Sequence, residues 1–221
     1  MHNNHFAACI FDFDGVIIDS EPLHAQAKHL TLEHFQIPYP DGLLSDFKGR
    51  TDLAFFDYVA ARFAHGRANS DEMDVYKRQQ YLNLFDDIQL VPGVVNFIDA
   101  ARAGYKKLGL ATSATGRDFS LAAQKFHLER WFDAIVTGAD TAQHKPHPEP
   151  YLKAMGALHV LPHETLVIED SPNGIQSARA AGCVVAAITT TFSAAELAAT
   201  GADVLAESFD QLGMILGISQ V

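Results

Sequence analysis

The chain reads as an α/β protein, a doubly wound parallel sheet interrupted by an inserted all-helical domain. Three observations carry that expectation. Short apolar runs rich in Val, Ile and Ala alternate with helical patterns, as expected of strands buried on both faces. Residues 20–90 break this rhythm with helical periodicity and no convincing strand. Pro92-Gly93 then restarts the alternating pattern.

The first strand, residues 7–11, is an apolar run that stops at Asp12. Within the insert, Leu23, Ala27, Leu30 and His34 keep helical spacing after Ser20 as a cap and Pro22 in the first turn. Leu53, Phe56, Ala60 and Phe63 step by three, four and three in the same way. The insert enters through residues 16–20 and leaves through 86–93, which divides the chain into a core of 1–18 with 90–221 and a helical domain of 19–89. Both crossings lie beside the end of the first strand, so the insert is expected to close over it as a lid. The core then continues with a helix at 94–103, a strand at 107–112, a helix at 119–126 and a strand at 134–136. A helix at 149–158 follows a proline-stiffened segment, a strand spans 165–168, and Ser171 to Gly174 lead into a helix at 173–181. Strands at 184–188 and 203–205 complete a spacing that suits a doubly wound fold.

Composition narrows the function classes. With 48% hydrophobic and 19% charged residues the chain is expected to fold, and a net charge of −11 argues against a nucleic-acid surface or an anionic membrane. An anionic substrate would then need basic side chains gathered locally. Cys9 and Cys183 each sit in an apolar run, which favours reduced packing residues over a disulfide. Reduced cysteines lead to the expectation of a cytoplasmic setting. The amino terminus lacks the pattern of a signal peptide, and no stretch is long enough to span a bilayer.

Asp12 and Asp14 stand in Phe11-Asp12-Phe13-Asp14-Gly15-Val16, where a buried strand ends on two acids. On a continuing strand the two would share a face, and Gly15 lets the chain turn sharply past them. Neighbouring carboxylates resist each other's ionisation, so one of them needs a cation or a proton. Asp-x-Asp-Gly by itself is most simply a turn. A calcium loop does not fit, because Gly15 falls at its fourth position and Leu23 at its twelfth.

What separates a turn from a site is the company the acids keep at other strand ends, where open parallel sheets bind ligands. The second core strand runs into Thr112-Ser113-Ala114-Thr115-Gly116, with a hydroxyl and free amides. After the third come His144-Lys145-Pro146-His147-Pro148, whose prolines stiffen the approach of Lys145 to the next helix. The fourth ends in Glu169-Asp170-Ser171-Pro172. Singly these read as a capped turn, a solvated lysine and helix-start acids. Together they put acid, hydroxyl, lysine and acid on one edge of one sheet.

The ordered set Asp12-Phe13-Asp14-Gly15-Val16, Ser113, Lys145-Pro146 and Glu169-Asp170 resembles the haloacid dehalogenase superfamily over essentially the whole length. The likeness is to its β-phosphoglucomutase-like branch, whose Rossmannoid core carries a helical cap inserted after the first motif. The resemblance implies a covalent mechanism in which Asp12 attacks phosphorus and Asp14 protonates the leaving oxygen, then activates water. It also implies magnesium held by Asp12, Asp170 and the main-chain carbonyl of Asp14, with Glu169 as a further ligand directly or through water. Lys145 would lie between nucleophile and phosphate, while Ser113 and the Ala114 amide bond phosphate oxygens. Countercharge is required, since a carboxylate ~4 Å from a phosphate charge meets roughly 4 kcal/mol of repulsion at an effective dielectric of about 20.

In the cap, Lys48-Gly49-Arg50-Thr51 looks like the loop that touches substrate in related enzymes, with Gly49 and Arg50 as candidate contacts. Lys77 and His24 resemble a cap lysine and a histidine of β-phosphoglucomutases, and Arg117 is ambiguous. Those mutases carry an arginine roughly where Asp52 stands, and an acid there repels a second phosphate. The expectation is therefore a sugar-phosphate phosphatase, with interconversion of β-glucose 1-phosphate and glucose 6-phosphate as the alternative. A signalling receiver domain is a different class with a similar residue set, but its phospho-accepting acid sits on a later strand and it lacks a helical insert; a non-catalytic phospho-binding relative is opposed by the joint presence of Asp12, Asp14, Ser113, Lys145 and Asp170. The expected partner is a small phosphorylated metabolite, with no nucleic acid or membrane, and the chain is expected to be a monomer.

Overall fold

The computed structural model describes residues 6–48, 51–114 and 116–218. In chain order its elements are β1 (Ala8–Phe11), β2 (Ile18–Asp19), α1 (Glu21–His34), α2 (Leu43–Asp46), α3 (Asp52–Val59), α4 (Ser70–Asn83), β3 (Gln89–Leu90) and α5 (Val94–Gly104). There follow β4 (Lys107–Ala111), α6 (Gly116–Phe126), β5 (Ala134–Val136), α7 (Glu149–Leu158), β6 (Thr165–Glu169), α8 (Pro172–Ala180), β7 (Val184–Ile188), α9 (Ala194–Ala198), β8 (Val204–Ala206) and α10 (Phe209–Leu216). Two compact units result, Met1–Ile18 with Leu90–Val221, and Asp19–Gln89.

The first unit is built on a six-stranded parallel sheet in the order β5-β4-β1-β6-β7-β8. From β1 the chain winds outward through β4 to β5, then returns to β6 and continues to β8. The winding direction thus reverses at β1, and the connections leaving the carboxyl ends of β1 and β6 diverge to open a crevice there. Side chains alternate across the sheet. Ala8 and Ile10 share a core with Tyr151, Ala154 and Met155 of α7 and Ile175 and Ala178 of α8. Phe11 meets Phe97 of α5 at 6.1 Å and Phe132 at 5.8 Å, and Phe97 meets Phe209 of α10 at 5.0 Å. Helices therefore cover both faces, as the doubly wound expectation requires. The expected core strands and helices all form, with small displacements at their ends; α9 and α10, both short, were not anticipated. Cys9 and Cys183 are free and buried.

The strand bearing the acids does not continue to Asp14. β1 ends at Phe11, and the amides of Val16, Ile17 and Ile18 converge on the Phe13 carbonyl at 3.3, 2.8 and 3.1 Å. Gly15 takes φ of +72°, a region that glycine enters without strain. The alternation of a strand therefore does not set the relation between the two acids.

The second unit is helical and packs around Leu32, Ile37, Phe47, Phe55, Phe56, Val59 and Met73. Thr51 caps α3 by accepting from the Ala54 amide at 3.2 Å. Asn69 and Glu72 form a capping box at the start of α4. The expected apolar stripe holds at Phe56, which is buried, but needs correction at Leu53, which is 52% exposed; α3 also buries Phe55 and Val59. His34 is likewise exposed while Leu32 is buried. Both helices carry apolar residues around much of their circumference, so the packing of neighbouring helices chooses the face. Ser20 occupies the N-cap position of α1 with near-helical angles, and its hydroxyl makes no capping bond.

Candidate active site

Four connections at the carboxyl ends of the parallel strands supply the site. Asp12 follows β1, and its amide extends the ladder by donating to the Ile168 carbonyl at 2.9 Å. Glu169 ends β6 and Asp170 follows it. Lys145 lies between β5 and α7, beside a cis Lys145–Pro146 peptide. Its ammonium donates to Asp12 Oδ1 at 2.6 Å and to Glu169 Oε1 at 2.7 Å. Ligand oxygens of Asp12, Glu169 and Asp170 lie within 4.8 Å of one another, and all three residues are buried.

Three buried carboxylates against one ammonium make an electrostatically unsettled site. Burial, reinforced by the Glu169 charge and only partly opposed by Lys145, lifts the Asp12 carboxyl to about 7. Asp170 is pushed well above the carboxylate range by burial and by the charges of Glu169 and Asp12, with Thr191 and Lys145 opposing. Burial alone would lower the Lys145 ammonium, but Asp12 and Glu169 outweigh it and raise it further above its ordinary value. Such a donor set suits a divalent cation, which favours the ionised form of every acid that faces it.

Two glycines make the close approach of the acids possible. A Cβ on Gly15 would stand 1.8 Å from Asp170 Oδ2, and one on Gly174 1.7 Å from Glu169 Oε1. Gly174→Ala is therefore expected to displace the Glu169 carboxylate and cost about 1–3 kcal/mol of stability through overpacking. Thermal unfolding measures this, and an unchanged melting temperature would contradict the packing argument.

The expected phosphate loop follows β4. Ser113 is exposed and Ala114 half-buried, while Thr112 is buried. The Ala114 amide, expected to face phosphate, instead donates to Thr112 Oγ1 at 2.9 Å. A phosphate must share or replace that bond. Gly138 packs under the loop, since a Cβ there would lie 2.6 Å from the Ser113 carbonyl oxygen.

Of the residues expected to read substrate in the helical unit, Gly49 and Arg50 lie outside the described residues. Lys77 and His24 come together, but with partners that change their meaning. Lys77 Nζ, 2% exposed, donates to Asp52 Oδ2 at 2.6 Å and to His24 Nδ1 at 2.7 Å. Lys28 Nζ lies 3.3 Å from Asp52 Oδ1, and Tyr81 stacks on His24 at 4.3 Å. Burial and then the Lys77 charge press the His24 imidazole down to about 3, so it accepts as a neutral ring. Burial opposes ionisation of Asp52, yet Lys77 and Lys28 hold it below the ordinary carboxylate range. Lys77 is thus an ion-paired member of a buried network, where the sequence suggested a substrate cation. Arg117 is exposed.

Sequence reasoning missed Tyr151, whose hydroxyl donates to Glu169 Oε1 at 2.6 Å, and Thr191 beside Asp170. Neither sits in a motif; Tyr151 reads as one more apolar residue of a helix. It also missed that Lys28 and Lys77 share Asp52, because those pairings join three separate helices.

The model of the haloacid dehalogenase-like hydrolase family matches residues 9–188. A phosphorylated carbohydrates phosphatase from Thermotoga maritima is 30% identical over 179 residues, covering 79% of this chain and 81% of that protein. A validoxylamine A 7'-phosphate phosphatase from Streptomyces hygroscopicus subsp. limoneus is 31% identical over 211 residues, covering 94% and 96%. The crystal structure of a Thermotoga maritima protein provisionally named a β-phosphoglucomutase superposes with a TM-score of 0.81 at 26% identity, covering 95% of this chain and 98% of that one.

Proposed function

The chain belongs to the haloacid dehalogenase-like hydrolases, and from that footing we propose that it is a magnesium-dependent phosphatase acting on a small phosphorylated carbohydrate. The observation that carries this reading is the contact of Lys145 Nζ with Asp12 Oδ1 at 2.6 Å inside a cluster of carboxylates. An ammonium placed there holds the nucleophile and offsets its repulsion for phosphate. Asp12 attacks phosphorus, the bond from phosphorus to the ester oxygen breaks, and Asp14 gives its proton to that oxygen. Asp14, now ionised, takes a proton from water, whose oxygen attacks the aspartyl phosphate and returns Asp12 as a carboxylate. Ser113 bonds the phosphate oxygens. Magnesium, when bound, supplies the remaining countercharge; Asp12, Asp170 and the main-chain carbonyl of Asp14 would hold it.

Asp52 favours hydrolysis over mutase chemistry. The lysine that resembles a cap cation of the mutases is 2% exposed and its ammonium is held on Asp52, so it is not presented to a second phosphate. The test is a magnesium-dependent screen of phosphorylated sugars and polyols for release of inorganic phosphate, run beside interconversion of β-glucose 1-phosphate and glucose 6-phosphate with a bisphosphate primer. Hydrolysis is expected; efficient interconversion with negligible phosphate release would overturn it.

Proton and metal compete for Asp12. With its carboxyl at about 7, and that of Asp170 raised as well, protons must leave before a cation binds, so apparent Mg²⁺ affinity is expected to fall at least about tenfold per pH unit from 7 downward. Calorimetric titration with MgCl₂ between pH 5.5 and 8.5 checks it, and a flat profile would remove Asp12 as the group that competes.

A further inference from the structure

Glu169 receives more donors than a carboxylate has lone pairs. Oε1 accepts from Lys145 Nζ at 2.7 Å and from the Tyr151 hydroxyl at 2.6 Å. Oε2 accepts from the Ser171 hydroxyl at 3.1 Å and from the amides of Asp170 and Ser171 at 3.1 and 3.3 Å. These are five donors on about four acceptor sites, around a residue with no exposed surface. A cation seeking Glu169 as a direct ligand would have to displace at least one of them in a site closed to compensating water.

The donors are themselves fixed. Ser171 Oγ accepts from the Gly174 amide at 3.1 Å to cap α8, which aims its hydroxyl proton at Glu169. Tyr151 is wholly buried on α7, and its ring centroid lies 4.8 Å from Lys145 Nζ. Lys145 is therefore held three ways, by Asp12, by Glu169 and by the face of Tyr151. The Tyr151 hydroxyl and the Lys145 ammonium share one oxygen of Glu169, so the first sets where the second rests.

We infer that Glu169 is a positioning residue and not a direct magnesium ligand, and that Tyr151 locks it so that Lys145 stays on Asp12. This rests on the phosphoryl-transfer reading for its effect on turnover, while its claim about the metal stands apart from that reading. Removing the Tyr151 hydroxyl leaves Glu169 Oε1 free to draw Lys145 away from the nucleophile.

The experiment compares wild type, Tyr151→Phe and Glu169→Gln in the full chain, with steady-state kinetics and MgCl₂ calorimetry on substrate-free protein. Tyr151→Phe is expected to lower kcat about tenfold, with KM and Mg²⁺ affinity each within twofold of wild type. Glu169→Gln is expected to lower kcat at least thirtyfold while Mg²⁺ binds less than tenfold more weakly, a loss that the missing charge alone explains. A larger loss of Mg²⁺ affinity in Glu169→Gln would make Glu169 a ligand. An unchanged kcat in Tyr151→Phe, or an effect confined to KM, would reduce Tyr151 to packing. Should Glu169→Gln fail to fold, Mg²⁺ binding to Tyr151→Phe decides the metal claim: an affinity raised more than twofold would mean that Glu169 was released to ligate, and overturns it. A wild-type chain inactive on every phosphorylated compound would sink the proposed function, and the Mg²⁺ titrations would still decide the role of Glu169.

Discussion

Asp12→Asn is expected to lower turnover on the order of 10⁴-fold or more, because an amide cannot attack phosphorus as a carboxylate does. The fold should survive, since the asparagine oxygen can keep the bond that Lys145 Nζ makes to Asp12 Oδ1 at 2.6 Å. Stability separates this variant from a merely damaged one. In the wild type the Asp12 carboxyl is raised to about 7 by burial and by the Glu169 charge, so the folded state holds its proton more tightly than the unfolded chain does. The stability associated with that proton is present at low pH and is lost as pH rises from about 4 to about 7. An asparagine carries no such penalty. Without metal, the melting temperature of Asp12→Asn should therefore exceed that of wild type at pH 8, and the gap should close toward pH 4. Wild-type turnover in Asp12→Asn would end the covalent scheme, and a gap that widened on acidification would reverse the electrostatic argument.

Lys145→Met is expected to combine the loss of catalysis with the largest loss of stability. Its ammonium bridges Asp12 and Glu169, and its side chain is 7% exposed. Deleting one partner of a buried ionic cluster leaves like charges facing each other, at a cost of about 3–5 kcal/mol. For a chain of this size that corresponds to a drop of roughly 10 °C in melting temperature without metal. Added MgCl₂ should recover part of the drop, because a divalent cation offers the same carboxylates a replacement charge. Calorimetry with and without MgCl₂ measures both quantities, and a variant that melts like wild type would show that the carboxylates do not depend on Lys145. Turnover should stay low even with the metal, because a cation bound to those carboxylates does not restore the ammonium that Lys145 places on Asp12 Oδ1.

Much of the core was legible in the sequence because its signals are local. The run ending at Phe11, the run before Glu169 and the helix at Glu149–Leu158 are each set by a few neighbouring residues. The acids and Lys145 were legible for a related reason, since they stand where those local signals stop. The helical unit was less legible. Leu53 and Phe56 step like a buried stripe, but α3 is apolar around much of its surface, and only the packing against its neighbours exposes Leu53 and buries Phe55.

The order of strands and helices, and the placing of acid, hydroxyl, lysine and acid at strand ends, were determined by sequence alone, through short-range apolar patterning and turn chemistry. Which atoms meet was decided by the tertiary structure. Lys145 reaches Asp12 across 133 residues, and Tyr151 reaches the same oxygen of Glu169 that Lys145 holds. Asp52 likewise finds Lys77 across 25 residues. A side chain's capacity to donate or accept is written in its identity. The partner that uses that capacity is chosen by sheet order and helix packing, which bring distant segments within 3 Å, and no local pattern in the chain records that choice.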